Sequence, residues 1–574
     1  MSRQNPSPLT RTTPAGTPLA DSFHVYDTTL RDGAQREGIS YSVADKLAVA
    51  HKLDALGVGF IEGGWPGALP KDTEFFARAA AGELPLRHAA LVAFGSTRRA
   101  GLRVEADPQV RALLDSQAPV VTLVAKSDRR HIERALRTDV GENYAMVADT
   151  VAFLREHGRR VFLDAEHFFD GYRVDPDTAL RVLDAAVSAG ADVAVLCDTN
   201  GGMLPLRVAE VVAEVAERTG FRLGIHCQDD TACAVANSIA AVQAGATHVQ
   251  CTANGYGERA GNADLFAVVG NLVAKLEMPV LPEGAFMELT RTSHALAEIA
   301  NIAPDTHQAY VGSSAFAHKA GLHASAIKVD PELYNHMNPE VVGNGQRVLV
   351  TEMAGRASVE LKAVELGVDL AGRPDAVNSV VRTVKEREAR GWSFEAADAS
   401  LELLMRLALA DGKQSPTPFT LESYRVITEH RADGEVVAEA TVKIRVGGQR
   451  VIATEEGNGP VNALDAALRS ALSPHCPWLD NIELADYKVR ILNSEHGSGD
   501  GRGHGTDAVT RVLLRSHDTA DAHSWTTVGV HGNVVEASWL ALVDALTFAD
   551  ARQAQPSDPE VPVAEPMSAS SATR

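Results

Sequence analysis

Cysteine is scarce: 5 among 574 residues. Cys197, Cys227, Cys233, Cys251 and Cys476 contain no C-x-x-C pair. An odd, unpaired set excludes a disulfide framework, argues against a structural zinc knuckle and fits a reducing cytoplasm. Basic residues are also in deficit, with 54 Lys and Arg against 75 Asp and Glu for a formal charge of −21. Non-specific nucleic-acid binding needs clustered Lys and Arg to replace phosphate counterions, so no nucleic-acid partner is expected. No uninterrupted apolar run reaches the roughly 18 residues of a membrane span. The first 22 residues are rich in Ser, Thr and Pro and lack the apolar core of a secretory signal. What remains is an ordinary globular composition, 45% hydrophobic and 22% charged.

From Phe23 a beat of about 30 residues appears, each a short apolar run ending in polar residues before a helical pattern. The runs are FHVYDTTLRDG, VGFIEGGW, HAALVAFGST, PVVTLVAKSD, RRVFLDAEHF, ADVAVLCDTNGG, FRLGIHCQDD and THVQCTANGYGE. Eight β-α units within about 260 residues match a (β/α)8 TIM barrel. A doubly wound sheet is the alternative, but the G-x-G-x-x-G turn is missing after the first strand. In SVADKLAVAHKLDALG, Val43, Leu47, Ala50 and Leu53 mark one apolar helix face. Ser42 with Asp45 has capping-box spacing, and Gly57 stands at the C-terminal cap position.

The beat fades after Pro282. The spacing predicts a tail over 1–22, the barrel over 23–285, helical linker subdomains over 286–412 and a linker over 413–418. A smaller α+β domain over 419–552 and a tail over 553–574 complete the expected order. Val461, Ala463, Ala467, Leu468, Ala471 and Leu472 recur 74 residues on as Val535, Ala537, Ala541, Leu542, Ala545 and Leu546. Two strand-strand-helix repeats follow from that offset.

Barrel enzymes carry their reacting groups at the C-terminal strand ends. Those ends supply Arg31 and Asp32, Glu62, Ser96 and Thr97, Lys126, Glu166 and His167, Asp198 and Thr199, His226 with Gln228 and Asp229, and the loop from Asn254 to Asn262. Asp32, His226 and an oxygen-bearing amide would form a mixed nitrogen–oxygen site for a hard or borderline divalent ion. Such an ion chelates a 2-oxo acid and polarises its carbonyl, and Arg31 beside it can stabilise developing alkoxide or enolate charge. The plainer reading makes Arg31–Asp32 a local ion pair and His226 a satisfied core histidine. Their joint placement at strand ends weighs against it.

DTTLRDGAQREG (27–38), GIHCQDD (224–230), NGYGERAGN (254–262) and AFAHKAGLHASAIK (315–328) resemble the metal-dependent acyl-CoA condensing enzymes. These are the 2-isopropylmalate, homocitrate and citramalate synthases, close to hydroxymethylglutaryl-CoA lyase. GFIEGGWPGALPKDTEFF (59–76) and DAEHFFDGY (164–172) are most similar to the citramalate synthase branch. The resemblance implies Asp32, His226 and Asn262 in the metal shell and Arg31 as the polarising cation. It implies Glu166 beside the acetyl-CoA methyl and Thr199 on the oxo-acid carboxylate. His323 and Tyr334 match a pair that assists proton transfer by reaching into a partner's barrel, which implies a homodimer. The implied reaction condenses acetyl-CoA with pyruvate to citramalate and CoA, in isoleucine synthesis, with isoleucine, or else leucine, as effector of the C-terminal domain. A 2-isopropylmalate or homocitrate synthase, or a related lyase, is the alternative.

One departure stands out. Where the family reads His-x-His, this chain has His226-Cys227-Gln228. A Gln offers an amide oxygen in place of imidazole, which shifts the expected metal toward manganese, magnesium or cobalt and away from tightly held zinc. Cys227 should face away from His226 across the strand. GSGDGRGHG (497–505) resembles a phosphate cradle but lacks the Lys-Ser/Thr of a P-loop, so a plain loop is the better account. Arg129, Arg130 and His131 invite a CoA phosphate, yet a solvated helix start is the better account.

Overall fold

The computed structural model describes residues 19–410, 417–492 and 508–553. Residues 1–18 and 554–574 of the expected tails, the linker up to residue 416 and the GSGDGRGHG loop fall outside the described residues, while Leu19–Ser22 forms a short helix. The chain divides into two compact units, Met1–Phe316 with Asn335–Gln346, and Ala317–Tyr334 with Arg347–Arg574.

In the first unit, eight parallel strands close into a barrel in sequence order. They are β1 His24–Asp27, β2 Phe60–Gly64, β3 Ala90–Ser96, β4 Val120–Lys126, β5 Arg160–Glu166, β6 Val193–Asp198, β7 Leu223–Cys227 and β8 His248–Cys251. Closure is made by β8 against β1, with Tyr26 in register with Gln250. The expected (β/α)8 architecture is thus the observed one. Alternation along each strand separates two cores. Val25, Ile61, Val121, Val161, Ile225 and Cys227 pack outward against the helices. Tyr26, Phe60, Val92, Phe162, Val195 and Cys197 fill the interior. Phe60 and Phe162 meet edge to face at 5.3 Å, with His24 and His248 beside them. This floor is largely aromatic, with the Arg160 guanidinium over the Phe60 and Phe162 rings.

The helix Val43–Leu56 forms as its sequence dictates. Ser42 Oγ accepts from the Asp45 amide at 3.1 Å, and Asp45 Oδ2 accepts from the Ser42 amide at 2.8 Å. Gly57 ends the helix at φ 92°, where a Cβ would meet Pro282 Cδ at 2.1 Å. Val43, Leu47, Ala50 and Leu53 are all buried.

In the second unit, the short strands β9 Ala317–His318 and β10 Arg347–Val348 pair in parallel. Three antiparallel strands follow, β11 Thr420–His430, β12 Val436–Val446 and β13 Gln449–Gly457, and then the helix Pro460–Leu472. The pattern returns with β14 Ile482–Leu492, β15 Val509–Asp518, β16 His523–His531 and the helix Val534–Gln553. Each repeat therefore holds three strands rather than two. The repeated Ala and Leu positions are buried in both helices. Ser400, in the helix Asp398–Leu409, donates to Asp544 Oδ2 at 2.7 Å and accepts from the Val528 amide at 3.0 Å. That helix shares a hydrophobic cluster with β16 through Leu401, Met405, Val528 and Val530. Among the described residues, no helix is long and apolar enough to cross a membrane.

Candidate active site

The TTLRDG turn after β1 folds back on itself, with the Asp32 amide donating to Thr28 O at 2.9 Å. This presents Arg31 and Asp32 to the barrel mouth, where they line a cavity of about 760 Å³ with Glu166, Thr199, His226 and Gln228. Arg31 is clamped. Its Nε donates to Glu62 Oε2 at 2.7 Å, its Nη1 lies 3.6 Å from Asp32 Oδ1, and its guanidinium sits 3.9 Å from the Phe94 ring centroid. Burial opposes the Arg31 charge, but Glu62, Asp32 and Asp164 together hold its pKa above the ordinary value. Glu62 is fully buried and also accepts from Tyr26 OH at 2.7 Å and Thr28 Oγ1 at 2.5 Å. Arg31 is thus a fixed, permanent cation, suited to meet developing negative charge.

Asp32 faces β7. His226 Nε2 lies 3.3 Å from Asp32 Oδ2, and burial lowers the His226 pKa, which favours the neutral imidazole a metal requires. Gln228 Nε2 points toward Asp32 Oδ2 at 3.5 Å, and an isolated antiparallel bridge ties Gln228 to Asn262. Asn262 Nδ2 donates to Tyr256 O at 3.0 Å. Gly257 permits that placement, since at φ 158° its Cβ would meet Asn262 Nδ2 at 2.2 Å. The amide oxygens Gln228 Oε1 and Asn262 Oδ1 are buried without a hydrogen-bond partner. Orphaned acceptors are costly, and a cation is one kind of partner that satisfies them. Among the described residues, no three of His, Cys, Asp and Glu gather around one point. The available donor set is therefore one carboxylate, one imidazole and two amide oxygens, which suits a hard or borderline divalent ion. Cys227 packs outward, as expected.

Glu166 ends β5 in register with Lys126 at the end of β4, and Lys126 Nζ pairs with Glu166 Oε2. Thr199 Oγ1 accepts from the His167 amide at 2.8 Å, with His167 itself in the left-handed region at φ 58°. His323 and Tyr334 belong to the second unit, where their rings stack at 4.2 Å and Tyr334 is exposed. Arg129 pairs with Glu133 and Asp175 and Arg130 with Asp128, so both guanidinium groups are already engaged.

Comparison with known proteins places the chain in a family. Residues 22–296 match the HMGL-like family, residues 310–391 the homocitrate synthase post-HMGL domain-like family and residues 395–549 the LeuA allosteric (dimerisation) domain. An (R)-citramalate synthase of Streptomyces coelicolor is 62% identical over 92% of this chain and 97% of its own. The chain belongs to the citramalate synthase branch of the 2-isopropylmalate and homocitrate synthase family. An (R)-citramalate synthase of Synechocystis is 47% identical over 92% of this chain and 96% of its own. A 2-isopropylmalate synthase of Methanocaldococcus jannaschii stands further off, at 28% over 92% and 95%.

Two supporting residues of this family member escaped sequence reasoning. Gln250, on β8, accepts at Oε1 from His226 Nδ1 at 2.9 Å and donates through Nε2 to Asp164 Oδ1 at 2.7 Å. Burial, and next the charge of Glu62, push the Asp164 carboxyl up to about 8. The available signal was alternation. His248 and Gln250 occupy inward positions of a strand whose other residues are apolar, and a mid-strand amide needs partners on both ends.

Proposed function

We propose that the chain condenses acetyl-CoA with pyruvate and water to give citramalate and CoA, in isoleucine synthesis through 2-oxobutanoate. The observation that carries the reading is His226 Nε2 at 3.3 Å from Asp32 Oδ2 beside the clamped Arg31, with Gln228 Oε1 and Asn262 Oδ1 buried without partners. The (R)-citramalate synthase relatives, identical at 62% and 47% of aligned positions, support pyruvate as the oxo acid.

Asp32, His226, Gln228 and Asn262 would hold a divalent ion, with manganese, magnesium or cobalt favoured over zinc. When bound, that ion supplies Lewis acidity toward the pyruvate ketone. Thr199 orients the pyruvate carboxylate. Glu166 takes a proton from the acetyl-CoA methyl, with His323 and Tyr334 of a partner subunit assisting. The enolate carbon attacks C2 of pyruvate, forming the new carbon–carbon bond as the ketone oxygen becomes an alkoxide. Arg31 stabilises that negative charge until the oxygen is protonated. Water then attacks the thioester carbonyl and the CoA thiolate leaves, taking a proton to become the free thiol. The protein acts as a cytoplasmic homodimer, and its C-terminal domain binds isoleucine as inhibitor.

Steady-state rates of CoA release on pyruvate, 2-oxoisovalerate and 2-oxoglutarate test the assignment. A kcat/KM highest on pyruvate supports it. Preference for either bulkier acid would make the chain a 2-isopropylmalate or homocitrate synthase instead.

A further inference from the structure

His226 can present only one ring nitrogen to a metal, and which one is free depends on where the ring proton sits. The barrel interior contains a device that decides this. Gln250 is 1% exposed and Asp164 4% exposed. In register, His226 lies beside Gln250 on adjacent strands, whereas Asp164 belongs to β5, across the barrel. The Gln250 amide therefore spans the interior from one to the other, with hydrogen bonds of 2.9 Å to His226 Nδ1 and 2.7 Å to Asp164 Oδ1.

An amide has a donor end and an acceptor end. Ionised, or carrying its proton on Oδ2, Asp164 offers Oδ1 as an acceptor, so the Gln250 NH2 must face it. The Gln250 carbonyl is then turned toward His226, where only an N–H can satisfy it. That places the proton on Nδ1 and leaves Nε2 with its lone pair directed at Asp32, 3.3 Å away. We infer that Gln250, anchored by Asp164, is a positioning residue that fixes the Nδ1–H tautomer of His226 and holds Nε2 ready to ligate. The inference rests on the reading of His226 as a metal ligand. It also explains a buried polar chain in the barrel interior directly above its aromatic floor. An amide carbonyl is a weaker acceptor than a carboxylate, so the ring is oriented without being driven toward imidazolate character.

The test uses Mn2+ as probe on the full-length, metal-depleted protein, counting free ion by electron paramagnetic resonance. Gln250→Met removes both ends of the relay and should weaken the Mn2+ Kd roughly 10- to 100-fold while keeping a cooperative thermal transition. Asp164→Leu leaves Gln250 free to turn over and should weaken it by a smaller factor, on the order of 3 to 10. The pair Gln250→Glu with Asp164→Asn reverses the second link but keeps an acceptor facing His226 Nδ1, held by the new amide at position 164, and should bind within about threefold of the parent. Asp32→Asn and His226→Ala report on the underlying reading. If these two bind Mn2+ like the parent, the metal site itself is misassigned. If they lose binding while folded Gln250→Met, or folded Asp164→Leu where the former does not fold, retains the parental Kd, the relay is overturned and the metal site stands.

Discussion

His226 Nε2 and Asp32 Oδ2 stand 3.3 Å apart, brought together by β7 and the turn after β1, which are separated in the closed ring only by β8. Neither residue has the other's strand as a sequence neighbour, so barrel closure creates the pair. Removing the Asp32 charge should leave the fold intact, because its carboxylate supports no strand pairing. Asp32→Asn is therefore expected to weaken divalent-metal affinity at least about 100-fold and to abolish condensation with little change in Tm. Near-parental turnover at low metal would remove Asp32 from the ligand set.

Gln228 gives the opposite test. Its Oε1 is buried and unpartnered, so an imidazole there would replace an amide oxygen by a stronger nitrogen donor. Gln228→His is expected to tighten Zn2+ binding more than Mn2+ or Mg2+ binding, measured by competition against a chromophoric chelator. Unchanged affinity for all three would place Gln228 outside the metal shell.

Glu166 is paired with Lys126 and has no contact with Asp32, His226, Gln228 or Asn262 among its hydrogen bonds. Glu166→Gln should lower kcat by about 10² to 10⁴, the range for loss of a positioned base, with Mn2+ affinity within about twofold of the parent. A kcat that hardly moves would hand the base role to His323 and Tyr334.

Asp27 carries a pH signature. It is fully buried at the end of β1, and burial raises its pKa to about 7 against the hydrogen bonds from Thr29 that pull it down. A carboxyl raised in the folded state binds protons more tightly there than in the unfolded chain. Stability from this group is therefore greatest at acid pH and declines as pH rises from about 4 to about 7, by at most about 1.4 kcal/mol per pH unit. Urea unfolding of the parent and of Asp27→Asn across that interval should show the parent losing stability relative to the variant as pH rises. A difference that is flat with pH would mean Asp27 is ionised throughout.

Much of this was readable in advance, because local rules and barrel geometry agree. Eight apolar runs gave the strands, Ser42, Asp45 and Gly57 gave a helix its ends, and the strand termini named Arg31, Asp32, Glu166, Thr199, His226 and Gln228. Three things were not. The strand count of each C-terminal repeat fell short by one, β11 and β14 being exposed along most of their length. The attachment of the Asp398–Leu409 helix to β16 depends on contacts such as Ser400 with Asp544, distant in sequence and ordinary in type. The Gln250–Asp164 link crosses the barrel, and no spacing rule reaches from β8 to β5.

The most direct measurement of the account is CoA-thiol release from acetyl-CoA and pyruvate by the full-length protein, before chelation, after it, and after return of single divalent ions. Activity should fall to background on chelation and return with Mn2+, Mg2+ or Co2+, with citramalate formed in equal amount to the thiol. Activity indifferent to chelation, or thiol release without citramalate, would contradict it.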